Sequence, residues 1–357
     1  MKATLKQSGV ALITALLILA IASTAAAYLA QQLNLSMRRS GNVINSNQAY
    51  LYALGAETLA IIGLNEDAKT NKIDSYDDVW AMEYDPFPVE DGAGYIYIKV
   101  SDLQARFNVN DLVNKMGQQD NVAIERFRRL LTLFDIDPEV CNAVIDWIDS
   151  DVNALGPYGA EDDYYLGLEH PYRAANRWLA SVSELRQVRG LDTAPRFNEL
   201  AQFLTALPEH TPINVNMAGY EIQYAVIGDP QKAAEAVRFS KYALEQANAA
   251  AEDGQQQIEE PVQQPSAGDT QTTQPSIPRP VIQPTAQSTV PYKDINDYVL
   301  KNSLPKNFVK QDLSVDSNFF LVTGESELDR GRATVKSVLH RDKNGKIRIV
   351  LRTLGEL

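Results

Sequence analysis

Ser8-Gly-Val-Ala-Leu-Ile-Thr-Ala-Leu-Leu-Ile-Leu-Ala-Ile-Ala-Ser-Thr-Ala-Ala-Ala-Tyr-Leu-Ala30 decides how this chain is built. From Val10 to Ala30 no residue is charged, and Leu12, Ile13, Leu16, Leu17, Ile18, Leu19, Ile21 and Leu29 fall within that run. One crossing of a bilayer takes about 20 apolar residues. Lys2 and Lys6 precede the run, so the excess of positive charge predicts a cytoplasmic N-terminus and everything after Ala30 on the far side. A cleaved secretory signal would have a shorter apolar core followed by a small-residue cleavage site, and Ser23-Thr-Ala-Ala-Ala27 offers one. Against that reading, Ser8-Gly9 stands before the apolar run and no helix breaker follows it. The chain continues as helix, with interruptions, to about Leu64. Ala49, Ala53, Ala56 and Ala60 recur there at helical spacing, a stripe that lets a neighbouring element approach closely. Either a partner helix or the chain's own domain could fill it.

These residues resemble a prepilin-type signal: a basic leader 1–9 ending in Gly9, cleavage before Val10, and a mature N-terminus Val10-Ala-Leu-Ile-Thr14. The resemblance implies a prepilin peptidase that cuts after the glycine and methylates the new terminus. Pilins and pseudopilins usually carry glutamate at the fifth mature position, where this chain has Thr14. Among type II secretion pseudopilins, the large protein K family is the one that lacks it, and the length of 357 residues agrees.

The formal net charge of −13 and pI near 4.8 disfavour a phosphate-binding surface, so no nucleic-acid partner is expected. The single cysteine, Cys141, reads as a small buried apolar residue in a helix over 138–147. His170, His210 and His340 lack the spacing of a zinc motif.

Beyond the helix the pattern changes. Gly94-Tyr-Ile-Tyr-Ile-Lys-Val100 alternates as a strand. Residues 102–250 are dominated by helical periodicity. Residues 251–291 hold seven prolines among Gln, Ser and Thr and read as a disordered linker. Residues 292–357 return to β: Asn318-Phe-Phe-Leu-Val-Thr323, Ala333-Thr-Val-Lys-Ser-Val-Leu-His340 and Lys346-Ile-Arg-Ile-Val-Leu-Arg352, the last two joined by an Asn344-Gly345 turn. A lone strand near residue 95 is unstable alone. The economical fold is α+β: a pilin-like region (31–101) whose long helix packs on a small antiparallel sheet completed by the C-terminal strands, with an all-α domain (102–250) inserted between strands. The resemblance implies the same fold.

Two segments of the inserted block echo each other, Arg106-Phe-Asn-Val-Asn-Asp-Leu112 and Pro212-Ile-Asn-Val-Asn-Met-Ala218. The second asparagine of each, Asn110 or Asn216, is placed to cap the helix that follows. The motif resembles helix-hairpin-helix units, some of which bind DNA, but the block is acidic and has no basic stripe.

The chemistry is concentrated in Asp146-Trp-Ile-Asp-Ser-Asp-Val-Asn-Ala-Leu-Gly-Pro-Tyr-Gly-Ala-Glu-Asp-Asp-Tyr-Tyr165. Hard oxygen ligands at this density in a glycine-containing loop suit calcium. The Asp149-x-Asp151-x-Asn153 run opens like an EF-hand loop, yet Ala154 stands where the loop glycine belongs. In the protein K family the pieces D-W-I-D-x-D, G-A-E-D-x-Y-Y, P-Y-x-x-x-N and S-x-x-E-L follow in this order, and all four occur here between Asp146 and Leu185. The resemblance implies bound calcium, with Asp149, Asp151, Glu161, Asp162 and Asn176 as ligands. No nucleophile–base pattern accompanies these carboxylates, so catalytic residues are not assigned and an enzyme is not expected.

The resemblance implies a minor pseudopilin in the inner membrane, single-pass, with periplasmic C-terminal domains. It would sit at the tip of the pseudopilus that drives export of folded proteins through the outer membrane. The expected partners are other minor pseudopilins and the inner-membrane secretion platform. A minor pilin of a type IV pilus or DNA-uptake machine is the alternative. Thr14 is the tip-specific position, because a buried carboxylate there needs a partner that a terminal subunit does not meet.

Overall fold

The computed structural model describes residues 8–82, 84–89, 94–237, 291–328 and 331–355. Most of the leader and nearly all of the Pro/Gln-rich stretch lie outside them.

Helix α1 runs unbroken over Ser8–Thr70, without the expected interruptions. Two elements lead into the sheet, β1 (Phe87–Pro88) and β2 (Gly94–Asp102). After a helical block come β7 (Phe319–Leu328), β8 (Gly331–Arg341) and β9 (Ile347–Leu354). The five form one sheet in the order β1-β2-β7-β8-β9. Phe87 pairs with Ile96 antiparallel. Leu103 N–H donates to Phe319 C=O (3.0 Å) and Arg341 N–H to Asn318 C=O (2.7 Å), so β2 and β8 both run antiparallel to β7. The β8–β9 turn is as expected. Asp342 accepts from the N–H groups of Asn344 and Lys346 (2.9 and 3.0 Å), and Gly345 takes a left-handed φ of +78°.

Chain contacts divide the protein into two units. The first comprises residues 1–58, 84–98 and 323–335. Within it the alanine stripe meets the chain's own β7. Ala49 and Ala53 are fully buried, and the Ser326 hydroxyl donates to Ala49 C=O (2.6 Å). A Cβ at Gly324 would stand 2.5 Å from Ala53 O and 2.9 Å from Ala56 Cβ, so only glycine admits the helix at this separation. This corrects the option of a partner helix on that stripe. Small-residue periodicity marks a close approach but does not say by what.

The second unit comprises residues 59–83, 99–322 and 336–357. Its helical block contains β3 (Phe107–Asn108), α2 (Asn121–Leu133), α3 (Val140–Ile148), α4 (Asp162–Tyr165), α5 (Phe197–Ala201), β4 (Leu204–Thr205), β5 (Ile213–Asn214), α6 (Tyr220–Ile227) and α7 (Pro230–Val237). The block is therefore helical but not all-α, since β3 and β4 pair in parallel. Two-residue strands are too short to show an alternation in sequence. The core of the block gathers Phe127, Leu130, Val144, Leu185 and Ile222, with Phe107 stacked on Phe127 at 5.4 Å. Cys141 is fully buried there, and burial pushes its thiol up to about 12, leaving it inert.

The chain after residue 291 does not go straight to the sheet. It first forms α8 (Ile295–Lys301) and β6 (Leu313–Ser314), which pairs in parallel with β5. Tyr292, Tyr298 and Leu304 share a core with Val215 and Ala236. The expectation that 292–357 simply completes the sheet therefore holds only from Phe319 onward; residues 292–316 belong with the helical block.

The two Asn-Val-Asn motifs reverse the expected division of labour. The first asparagine makes the turn: Asn108 and Asn214 accept from the N–H of Asn110 and Asn216 (3.3 and 3.0 Å). The second reaches a distant stretch of backbone. Asn110 accepts from Leu179 N–H (2.8 Å) and donates to Leu179 C=O (3.0 Å). Asn216 likewise accepts from Tyr292 N–H (2.8 Å) and donates to Tyr292 C=O (3.1 Å). Each side-chain amide thus replaces a peptide unit that the fold does not supply.

His210 ties this block to the segment before β6. Its Nε2 lies 2.7 Å from Asp312 Oδ1 and its Nδ1 3.2 Å from Asp111 Oδ1. Hydrogen bonds to Asp111 and Asp312 raise its pKa to about 10. The folded imidazolium therefore keeps its proton well above the pH at which the unfolded chain releases it, about 6.5. Its contribution is complete below about pH 6.5 and lost as pH rises through 10. His210 is half exposed, so the loss should be about 1 kcal/mol or less. Denaturant midpoints should fall between about pH 6.5 and 10 in the native chain and fall less in His210→Gln.

Candidate metal centre

The acidic loop joins α3 to α4. Asp149 closes α3 in an extended conformation, its N–H still donating to Ile145 C=O (2.9 Å). Asp146, three residues earlier, is fully buried and organises the loop: its carboxylate accepts from Leu155 N–H (3.0 Å) and Ala160 N–H (2.7 Å). The backbone at Gly159 runs so close that a Cβ there would lie 2.4 Å from Asp146 Oδ2. Glu161 then stands at the start of α4. Trp147, Tyr165 and Tyr172 pack behind the loop, with ring centroids 5.1 Å apart for the first pair and 5.2 Å for the second.

Asp149, Asp151 and Glu161 each bring one carboxylate oxygen to within 4.8 Å of the others. Asp149 and Glu161 are buried. Asp149 Oδ1, both oxygens of Glu161 and Asn176 Oδ1 are buried with no hydrogen-bond donor among the described residues. Asn176 sits at φ +45°, a left-handed conformation that asparagine tolerates, and its Nδ2 donates to Asp151 C=O (3.1 Å). Burial, reinforced by the charges of Asp151 and Asp146, pushes Asp149 up to about 6. Burial, reinforced by Asp146, Asp149, Asp151 and Asp162, pushes Glu161 up to about 7. Buried acceptors without donors are costly. A divalent cation removes both that cost and the mutual repulsion. The donors are all oxygen, which matches calcium and not the thiolate and imidazole sets of zinc.

Of the five residues expected to ligate metal, Asp162 stands apart. Its oxygens accept from Arg173 (2.8 Å) and from Ala174 N–H (3.0 Å), fastening the segment that leads to Asn176. Asn153 also serves the loop itself, donating to Asp151 from its side chain (3.0 Å). Sequence reading missed Asp146 as the organiser, although its place one helical turn before Asp149 was the available signal. The S-x-x-E-L piece is a capping box: Ser181 Oγ accepts from Ser183 N–H (3.2 Å), and Glu184 accepts from Ser181 N–H (3.2 Å).

The profile of the family described as Type II secretion system (T2SS), protein K matches residues 105–209. Type II secretion system protein K of Pseudomonas aeruginosa is 32% identical, over 98% of this chain and 93% of that protein. The protein of that name from Aeromonas hydrophila is 35% identical over 59% of this chain and 67% of its own length. Among solved structures, a chain of the crystal structure of the GspK-GspI-GspJ complex from the enterotoxigenic Escherichia coli type 2 secretion system shares the fold. It superposes with a TM-score of 0.64 at 23% identity, covering 90% of this chain and all of that one. A helix long and apolar enough to cross a membrane, a pilin-like sheet interrupted by a helical block, and identity along nearly the whole length together place this chain in the type II secretion system protein K family of minor pseudopilins.

Proposed function

We propose that this chain forms the tip of a periplasmic pseudopilus that drives folded proteins through the outer membrane. Val10–Ala30 anchors it in the inner membrane with the N-terminus cytoplasmic, after a prepilin peptidase has cut before Val10. Its partners are other minor pseudopilins, as the complex containing the E. coli relative suggests, together with the inner-membrane secretion platform. The role is structural and not enzymatic. Asp149, Asp151, Glu161 and Asn176 hold a calcium ion, which supplies the positive charge that lets α3 and α4 meet around one point.

Thr14 carries the tip reading. Its hydroxyl donates to Val10 C=O (3.1 Å), within its own helix. A glutamate at this position in the membrane would need a neighbour's cation. Threonine satisfies itself and asks nothing of a subunit above it.

Mass spectrometry of the mature protein should give an N-terminus at Val10. A start after Ala25, Ala26 or Ala27 would indicate an ordinary signal peptide and a soluble product. Gly9→Trp should leave the precursor uncut, abolish its co-purification with the other minor pseudopilins and stop secretion.

A further inference from the structure

The sheet ends differently at its two edges. β1 is two residues long and closes with Pro88, which has no N–H to offer. β9, at the other edge, runs as Ile347-Arg-Ile-Val-Leu-Arg-Thr-Leu354, eight residues with neither proline nor glycine. A row of unpaired N–H and C=O groups is a template for another strand, and natural proteins blunt it with short edge strands, prolines or bulges. β1 is blunted in this way and β9 is not. Among the described residues no strand lies beyond β9.

The direction of the backbone follows from the turn. Arg341 N–H donates toward β7, to Asn318 C=O, and Asp342 N–H donates across the turn to Lys346 C=O (2.9 Å). Carried along β9 by the alternation of an antiparallel ladder, this aims Arg348, Val350 and Arg352 at β8. It turns the N–H and C=O groups of Ile349 and Leu351 to the open edge. The side chains are open as well: Ile349, Val350 and Leu351 are 41%, 46% and 42% exposed. Successive residues of a strand point to opposite faces, so both faces of β9 are accessible. Charge gives the edge a sign. Residues 336–355 hold six Lys or Arg and one Asp, in a chain whose formal net charge is −13. Arg348 and Arg352 are exposed, and they share a face with Val350 between them.

We infer that β9 accepts an added strand from a partner protein, and that the partner segment alternates acidic and apolar residues. Its carboxylates lie across from Arg348 and Arg352, and its apolar side chains lie across from Ile349 and Leu351. Opposite charges and aliphatic pairs directly across two strands are favourable, and like charges there are not. The same arginines disfavour a second copy. The longest antiparallel register that keeps like faces together is centred on Val350 and sets Arg348 opposite Arg352. Main-chain hydrogen bonds supply the affinity of such an addition, and the alternating side chains select the partner.

The test uses the solubilised full chain and two synthetic peptides of the length of β9 with blocked ends. One alternates glutamate and valine, the other lysine and valine. Hydrogen exchange read by mass spectrometry should show the fast amides of segment 347–354 slowed at least about fivefold by the glutamate peptide and unchanged by the lysine peptide. Arg348→Glu with Arg352→Glu should reverse that preference. Ile349→Pro removes one outward N–H, which an edge strand tolerates, so it should abolish the slowing while the chain stays folded. Slowing by neither peptide, equal slowing by both, or an unchanged preference in the double glutamate variant would overturn the inference. So would slow exchange of the outward amides in the free chain, the mark of an edge already covered by a second copy or by residues 238–290. None of these outcomes touches the minor-pseudopilin reading.

Discussion

Arg341→Met should destabilise the solubilised protein by about 3–5 kcal/mol, the cost of breaking a buried ion pair from one side. Arg341 emerges from the end of β8 into a closed polar cluster. It donates to Asp67 (3.2 Å), to Asp74 and to Ser317 C=O (2.7 Å), and its guanidinium lies 4.8 Å from the centre of the Phe320 ring. Asp74 is 1% exposed and also accepts from Ser317 N–H (2.7 Å). Asp102 joins through Ser317 Oγ (2.6 Å) and Asn214 (3.1 Å). Burial pushes Asp74 up to about 7, and Arg341 is the strongest influence in the other direction. Methionine preserves the stem over Phe320 but leaves Asp74 and Asp67 without their cation. Asp74 would then escape its cost only by taking a proton. A carboxyl whose folded pKa is raised favours the fold below the unfolded value of about 4 and loses that advantage as pH rises through about 7. The variant should therefore be more defective at about pH 8 than at about pH 5. Denaturant titrations of both proteins at the two pH values measure it. Equal defects would mean that Arg341 acts through packing alone.

Removing calcium should have an effect of the same order. A ligand that binds only the folded state stabilises by mass action, about 4.1 kcal/mol when present at about 1,000 times its Kd. The solubilised chain should melt higher in calcium than in chelator. Glu161→Gln should abolish most of that difference, because Glu161 offers two buried oxygens that have no partner among the described residues. In chelator the ranking should invert. Glutamine relieves the repulsion from Asp146, Asp149 and Asp151 that helps raise Glu161 to about 7, so the variant should melt higher than the native chain above that pH. Asp162→Asn should retain the calcium response, since Asp162 is engaged with Arg173 and Ala174. Identical melting curves with and without calcium, and none found by elemental analysis, would remove the metal from the account.

These outcomes follow from features the sequence displayed unevenly. Sequence pattern was enough for the existence of α1, though not for its unbroken run to Thr70, for the alternation of β2 and β7 to β9, and for the turn at Gly345. Each of those signals is local. It was not enough for α8 and β6, which are too short to show a period and take their shape from Asn216, Tyr292 and the core around Val215. The acidic loop was visible because carboxylates are dense there. Which carboxylate does what was not visible, because Asp146 is set apart from Asp149, Asp151 and Glu161 by accepting across the loop from Leu155 N–H and Ala160 N–H. Glu161 lies fifteen residues further along and meets Asp146 only once the loop has closed on the N–H groups of Leu155 and Ala160. The alanine stripe announced a close contact without naming its partner, which Gly324 supplied from the far end of the chain.

The asparagine clamp on Tyr292 makes one side chain responsible for two distant stretches. Asn216 holds both backbone groups of Tyr292, and the Tyr292 hydroxyl donates to Ala236 C=O (3.1 Å) within α7. Tyr292 also shares its core with Val215, Ala236 and Tyr298. Substitution at Asn216 would therefore loosen the approach to α8 and, through the Tyr292 hydroxyl, its hold on the end of α7 at once.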